Sequence, residues 1–286
     1  MQITSQSKIQ EWRGKVATQH TEHRTNYPAA PSAGPNILRI YEELLVKAIK
    51  NKPNFKALVL GSTPETRELV NKYNGHLCSI DISIEMMLKT KELVKIESEK
   101  LEHLLRSDWL DNPLAENYFD VVLGDGVANN VSLDNQKLFI SQLHRVLKPG
   151  GHLIIRECCI NPDRPIQGIE QISADFDAGK IHWFDAFISS YLYSDISAKC
   201  SEKDLQQKRL LKYFDLLEQA FIEGRVSKKM IDALWWFKKD LNHTMLPKFE
   251  FIALLQEFFQ LFAVEQANDY QFTSDSFLFF FGQARK

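Results

Sequence analysis

Four short segments carry the residues that could do chemistry, and each stands where an apolar run ends. Gly61 directly follows Ala57-Leu-Val-Leu60, a point where the backbone must turn sharply and a ligand can approach it without meeting a side chain. Asp81 stands twenty residues later and closes a second run. A carboxylate in that place can accept hydrogen bonds from both hydroxyls of a ribose. Ser107-Asp108-Trp109 follows a third run, and Asp108 can accept a bond from an exocyclic amine such as that of adenine. Gly124-Asp125-Gly126 follows a fourth, with small residues that leave room for the polar end of a cofactor or for a substrate. Each segment alone is compatible with an ordinary turn or a capping residue. Four in succession favour a nucleoside-bearing ligand.

These segments need elements that bring them to one edge, and the pattern supplies them. Apolar runs at 57–60, 76–80, 103–106, 119–123 and 152–156 predict five strands. Between them lie helical patterns: 63–72, opened by Thr63 and Pro64, 84–96, capped by Ser83, and 134–147, ended by the turn signal Lys148-Pro-Gly-Gly151. A further amphipathic helix spans 37–51, with Ile37, Ile40, Tyr41, Leu44, Leu45, Ala48 and Ile49 on one face. Strands alternating with helices imply right-handed crossovers and a parallel sheet, whose ligands bind beyond the carboxyl ends of the strands. From 165 to 246 no strand-like run survives, and helical patterns such as 205–222 dominate in an aromatic-rich stretch. The sheet pattern then returns with a helix over 249–261 and strands over 262–266 and 277–283. The expected fold is α/β: a doubly wound, Rossmann-like, seven-stranded, mostly parallel sheet with an α-helical insertion. Its expected parts are an N-terminal arm over 1–36, a core over 37–160, an insertion over 161–246, and closing elements over 247–286.

Composition narrows the function. Of 286 residues, 44% are hydrophobic and 25% charged, as in a globular protein and unlike a disordered or fibrous chain. Lys and Arg (35) nearly cancel Asp and Glu (37), so no overall positive field exists to hold a nucleic acid. Cys78, Cys158, Cys159 and Cys200 show no C-x-x-C spacing, which predicts reduced thiols, no metal and a cytoplasmic location. The polar N-terminus and the absence of a long apolar stretch predict no leader and no membrane association.

The segments also resemble the class I S-adenosylmethionine-dependent methyltransferases. The likeness is carried by Ala57-Leu-Val-Leu-Gly-Ser-Thr-Pro-Glu65, Ser79-Ile-Asp-Ile-Ser-Ile-Glu-Met-Met87, Ser107-Asp108, Phe119-Asp-Val-Val-Leu-Gly-Asp-Gly126 and Leu147-Lys-Pro-Gly-Gly-His-Leu-Ile-Ile155. It resumes at Phe249-Glu-Phe-Ile-Ala-Leu-Leu255 and Phe277-Leu-Phe-Phe-Phe-Gly-Gln-Ala-Arg285. The resemblance implies S-adenosylmethionine as cofactor. It places the backbone of Gly61, Ser62 and Thr63 near the methionine part and Asp81 on the ribose. Ile82 and Met86 lie against adenine, Ser107, Asp108 and Trp109 at its edge, and Gly124, Asp125 and Gly126 near the sulfonium. The sequence departs from the usual first motif: Val59, Thr63 and Glu65 stand where an acidic residue and two glycines are common. Asp125 is the candidate for holding the cofactor's amino group.

Methyl transfer from a sulfonium needs alignment and exclusion of water more than a catalytic triad. A general base is left unassigned. His182, Trp183 and Tyr27 are the candidate substrate residues, on the expectation that the insertion and the N-terminal arm enclose a small, partly apolar acceptor. The same aromatics are equally suited to be the insertion's own core or a homodimer interface. Two other functions compete. One is a nicotinamide-dependent oxidoreductase, disfavoured because Gly61-Ser-Thr-Pro-Glu65 lacks the later glycines that admit a pyrophosphate. The other is a non-catalytic binding module that keeps the fold.

Overall fold

The computed structural model describes residues 34–96, 98–197, 207–235, 238, 242–270 and 275–285. Strands β1 (Lys56–Leu60), β2 (His76–Asp81), β3 (His103–Arg106), β4 (Phe119–Asp125), β5 (Leu147–Cys158), β8 (Phe259–Gln266) and β9 (Phe277–Ala284) form one seven-stranded sheet. Its order is β3-β2-β1-β4-β5-β9-β8, with β9 antiparallel to both neighbours and the remaining pairs parallel. The chain reverses its direction of winding between β1 and β4, so the carboxyl ends of β1, β2, β4 and β5 share one rim. This is the α/β sheet that the alternation of apolar runs predicts.

Helices cover both faces because their apolar stripes have no other place to go. On one face lie α1 (Pro35–Ala48) and α2 (Pro64–Lys72), on the other α4 (Gln136–Val146) and α9 (Lys248–Gln256). Helix α1 buries six of the seven apolar residues expected of it, the seventh, Ile49, being its partly buried C-cap, and its first amides are capped from afar: Asp269 accepts from Asn36 N at 3.0 Å and from Ile37 N at 2.8 Å. Helix α3 (Ile84–Lys91) opens at Ser83, whose hydroxyl accepts from Met86 N at 3.3 Å. It stops short of the expected residue 96 because α2 claims the next backbone groups: Asn71 donates to Ile96 O and Glu68 accepts from Lys95 N.

Other boundaries differ for equally local reasons. The expected turn at Lys148-Pro-Gly-Gly151 runs inside β5, where the pairing with β4 shifts register between Phe119 and Val121 and Gly150 takes φ +77°. Helix α9 ends five residues early, because Phe259, fully buried, starts β8 opposite Ala284. The stretch between β5 and α9 contains α5 (Ile169–Asp177), α6 (Trp183–Leu192), α7 (Leu210–Ile222) and α8 (Lys228–Leu234). It is not all helical: β6 (Gln207–Arg209) and β7 (Asn242–Thr244) pair antiparallel across it. Three-residue strands leave too short an alternation to register in a sequence. Phe187, Tyr191, Tyr213, Phe214 and Leu217 are buried in one cluster continuous with the α1 side of the sheet, so most of these aromatics are core.

One buried ion pair joins the first two crossover helices to the sheet. The Arg67 guanidinium on α2, fully buried, donates to Met87 O and Thr90 Oγ1 on α3 and to Glu102 Oε2 at 2.7 Å. Glu102 Oε1 accepts from Ser79 on β2 at 2.7 Å. Removing the carboxylate would strand a buried charge, so Glu102→Ala is expected to lose about 3 kcal/mol of stability in urea unfolding. A loss below about 1 kcal/mol, the range of an exposed pair, would contradict this role for the contact.

Candidate active site

The rim over β1 and β2 is built around Gly61, which takes φ +77° and whose amide donates to Ile80 O at 2.9 Å. A Cβ placed there would lie 3.7 Å from the Trp109 ring, 3.8 Å from Asp81 Oδ2 and 4.0 Å from Val127. Three loops therefore converge over one bare stretch of backbone. Asp81 is organised to keep one carboxylate edge in place: Oδ1 accepts from Ser83 N at 2.7 Å and Oδ2 from Ser62 Oγ at 3.3 Å. Burial pushes its carboxyl up to about 6 against these hydrogen bonds. Trp109 donates its indole N–H to Ile80 O at 3.0 Å, which holds the ring across the top of Gly61. Thr63 and Met86 are buried beside this rim, and Ile82 is partly exposed.

Asp108 and Ser107 serve their own loop. Asp108 Oδ1 accepts from Leu110 N at 2.9 Å, and Ser107 Oγ donates to Asp111 O at 3.3 Å. The Ser107 amide extends the β2–β3 pairing to Asp81 O.

A denser arrangement lies at the ends of β4 and β5. Asp125 and Arg156 are register partners, and the guanidinium grips the carboxylate with two bonds, Nε to Oδ1 at 2.9 Å and Nη2 to Oδ2 at 3.0 Å. Their side chains are 8% and 2% exposed, so this is an interior ion pair. The Asp125 carboxylate, expected to hold a cofactor amino group, is thus already engaged by a cation. The Tyr41 hydroxyl on α1 donates to Gly124 O at 2.7 Å, and burial raises its pKa well above the usual phenol value. Gly126, at φ +64°, donates to Arg156 O at 2.7 Å. The next three amides, of Val127, Ala128 and Asn129, all donate to the Glu157 carboxylate, at 3.0, 3.1 and 3.2 Å. Burial pushes Glu157 up to about 8 in spite of those donors, with the Asp125 charge adding to the rise. Asn129 then ties this loop to β5 and to β7 through Cys158 and Thr244. A small cavity beside it is lined by Gln136, Glu157, Cys158, Cys159 and Thr244, and burial raises both thiols.

His182 and Trp183 sit at the start of α6, across from the same strand ends. The His182 ring lies between Trp183 and Tyr270, with centroids 5.3 and 5.4 Å away. Phe184 packs on Tyr270 and on Phe277, and the Arg156 guanidinium is 5.4 Å from the Phe277 ring. Of the residues singled out by sequence, Gly61, Ser62, Asp81 and Trp109 therefore meet directly, while Gly124, Asp125 and Gly126 form the neighbouring loop. His182 and Trp183 belong to an aromatic wall with Phe184, Tyr270 and Phe277 beside the end of β5, and Tyr27 lies outside the described residues. Sequence reasoning missed Tyr41, Val127, Asn129, Arg156, Glu157 and Tyr270. Arg156-Glu157 was detectable as a charged pair closing an otherwise apolar strand. Among the described residues, no three His, Cys, Asp or Glu side chains are arranged to hold a metal ion, and no helix is long and apolar enough to cross a membrane.

Residues 60–155 match the family model of the methyltransferase domain. A demethylmenaquinone methyltransferase of Bacteroides fragilis is 41% identical over 91 residues, which are 31% of this chain and 35% of that protein. The chain thus spans about a third of the length of the curated relatives it matches. Among solved structures, the N-methyltransferase NodS of Bradyrhizobium japonicum WM9, in complex with S-adenosyl-L-homocysteine, aligns with TM-score 0.52 at 13% identity, over 94% of this chain and 99% of that one. A Rhodobacter sphaeroides chain described as a Zn-dependent alcohol dehydrogenase aligns with TM-score 0.54 at 14% identity, over 85% and 90%. At such identities these two show the fold alone. The matched segment, residues 60–155, is similar to a methyltransferase domain.

The Glu157 cluster makes stability depend on pH. A carboxyl raised from 4.5 to about 8 on folding binds more protons in the native than in the unfolded state between those values. Its contribution is complete below pH 4.5 and is lost as pH rises through about 8. The stability of Glu157→Gln relative to the natural protein should therefore increase from pH 5 to 8 and level off above, in urea unfolding at fixed salt. A difference that is flat with pH would place an ordinary carboxylate in the loop.

Proposed function

We propose that this chain is an S-adenosylmethionine-dependent methyltransferase acting on a small-molecule acceptor. The observation that carries the reading is the convergence of Trp109, Asp81 and Val127 on the bare backbone of Gly61, inside the segment that matches the methyltransferase domain. The residues fit the group: a side chain at Gly61 would occupy the space between them, and its φ of +77° disfavours one. Bound there, S-adenosylmethionine supplies a methyl group already activated on a sulfonium.

The protein's task is then to bind, orient and exclude water. Asp81, with Ser62 and Ser83 fixing its carboxylate, would accept the ribose hydroxyls. Trp109, Ile82 and Met86 would enclose the adenine, with Ser107 and Asp108 shaping its edge. The Gly61, Ser62 and Thr63 backbone would face the methionine end, beside Gly124, Asp125 and Gly126. Because Arg156 neutralises Asp125, the pair would present a polar but uncharged wall to a cationic ligand. The acceptor would enter from the side of His182, Trp183 and Tyr270, whose rings suit a planar, partly apolar molecule; the demethylmenaquinone in the name of the Bacteroides relative supports that choice. A dinucleotide fits worse. Its pyrophosphate would need the α2 N-terminus, where Pro64 has no N–H to offer and is buried together with Thr63.

Calorimetry with S-adenosylhomocysteine tests this. Asp81→Ala is expected to bind it at least tenfold more weakly, equivalent to about 1.4 kcal/mol. In the natural protein affinity should fall as pH drops through about 6, where the Asp81 carboxyl takes up its proton. Unchanged affinity in a folded Asp81→Ala protein would refute the ribose assignment, and no binding at all by the natural protein would refute the function.

A further inference from the structure

His182 is the N-cap of α6, and its ring nitrogens are not equivalent. Nδ1 accepts the Phe184 amide N–H at 3.3 Å. A ring nitrogen that accepts carries no proton, so in the neutral imidazole the proton is on Nε2. Burial lowers the pKa of this half-buried ring, and the Asp185 charge opposes that shift. Nε2 has no hydrogen-bond partner among the described residues. The ring is held on two sides, by Trp183 and by Tyr270. Tyr270 in turn lies close enough to Asp125 and Arg156 to feel both charges, so this wall belongs to the rim at the end of β4 and β5.

We propose that His182 is a substrate-positioning donor, whose Nε2–H hydrogen-bonds an oxygen carried on a planar ring of the acceptor, stacked along Trp183 and Tyr270. The assignment rests on the methyltransferase reading and specifies the acceptor class: a flat ring bearing a carbonyl or phenolic oxygen. It also removes His182 as a general base, because the only nitrogen without a proton is committed to the backbone of α6.

The test uses the full chain with S-adenosylhomocysteine bound and chromone, a planar bicyclic ketone, as probe. Nitrogen-15 NMR of labelled histidine at pH 7 should show the Nε2–H tautomer for His182, and its Nε2–H signal should shift on adding chromone. His182→Phe, which keeps a flat ring and loses the donor, should bind chromone about tenfold more weakly, while His182→Gln, which retains an N–H donor, should stay within about threefold of the natural protein. Both variants should keep their affinity for S-adenosylhomocysteine. An Nδ1–H tautomer overturns the proposal without any variant. So does a His182→Phe protein that binds chromone as the natural one does, or a natural protein that binds S-adenosylhomocysteine but not chromone. Failure to bind S-adenosylhomocysteine would instead overturn the methyltransferase reading beneath it.

Discussion

A guanidinium buried to 2% exposure cannot be left without a carboxylate, and the rim of this protein is arranged around meeting that demand. Arg156 can reach Asp125 only because β4 and β5 pair in one register, in which the two residues stand opposite each other. A slip of one residue would turn every side chain of β5 to the other face and carry the charge into the helices. The same residue extends the constraint to its other neighbour. Arg156 pairs with Phe279 on β9, and its guanidinium lies over Phe277 and Phe279, while Tyr41 of α1 reaches the adjoining Gly124 carbonyl. Burial of one charge thus sets the relative positions of three strands and a helix at the carboxyl ends of β4 and β5.

Glu157 performs the complementary task for backbone. A loop that leaves a strand and turns at once into a short helical segment exposes several amides with no partner of their own. Here Val127, Ala128 and Asn129 direct theirs to one carboxylate from the neighbouring strand. That fixes Val127, which is one wall of the space over Gly61. The two acids beside this loop are resolved differently: Asp125 has a cation, whereas Glu157 has only amides and is pushed towards its protonated form. Rigid positioning of the loop comes at the cost of a carboxyl held far from its ordinary ionisation range.

The parts legible in the sequence are those written in local signals. Runs such as Leu58-Val-Leu60 and Val121-Val-Leu123 are buried on both faces and so leave continuous apolar stretches. Gly61 and Asp81 announce themselves by standing directly after such runs. What escaped notice depends on partners far along the chain. Asp269 caps a helix more than two hundred residues away, and nothing near it in sequence signals this. Tyr41 reads as one more member of an apolar stripe, because only the tertiary fold brings its hydroxyl to Gly124 O. The strands β6 and β7 are three residues each and are separated by more than thirty residues, too little and too far for any periodicity to show.

The two sides of the rim follow different physical rules. Around Gly61 and Asp81 the groups are backbone amides, a carboxylate and one aromatic ring, supplied by loops that the doubly wound sheet delivers to the same place in any chain of this architecture. On the opposite side the wall comes from α6 and the segment ending at Tyr270, which are added to the sheet rather than required by it. Its groups are rings and an imidazole whose Nδ1 accepts from the α6 backbone, so discrimination among acceptors would depend on shape and on a single hydrogen bond. Such a wall rejects a molecule lacking the matching acceptor atom mainly by leaving a desolvated donor unpaired, an effect larger than the gain from the bond itself. On the proposed reading the cofactor side would be general and the acceptor side selective, and changes in α6 would alter what is methylated without disturbing the buried pair that holds the rim together.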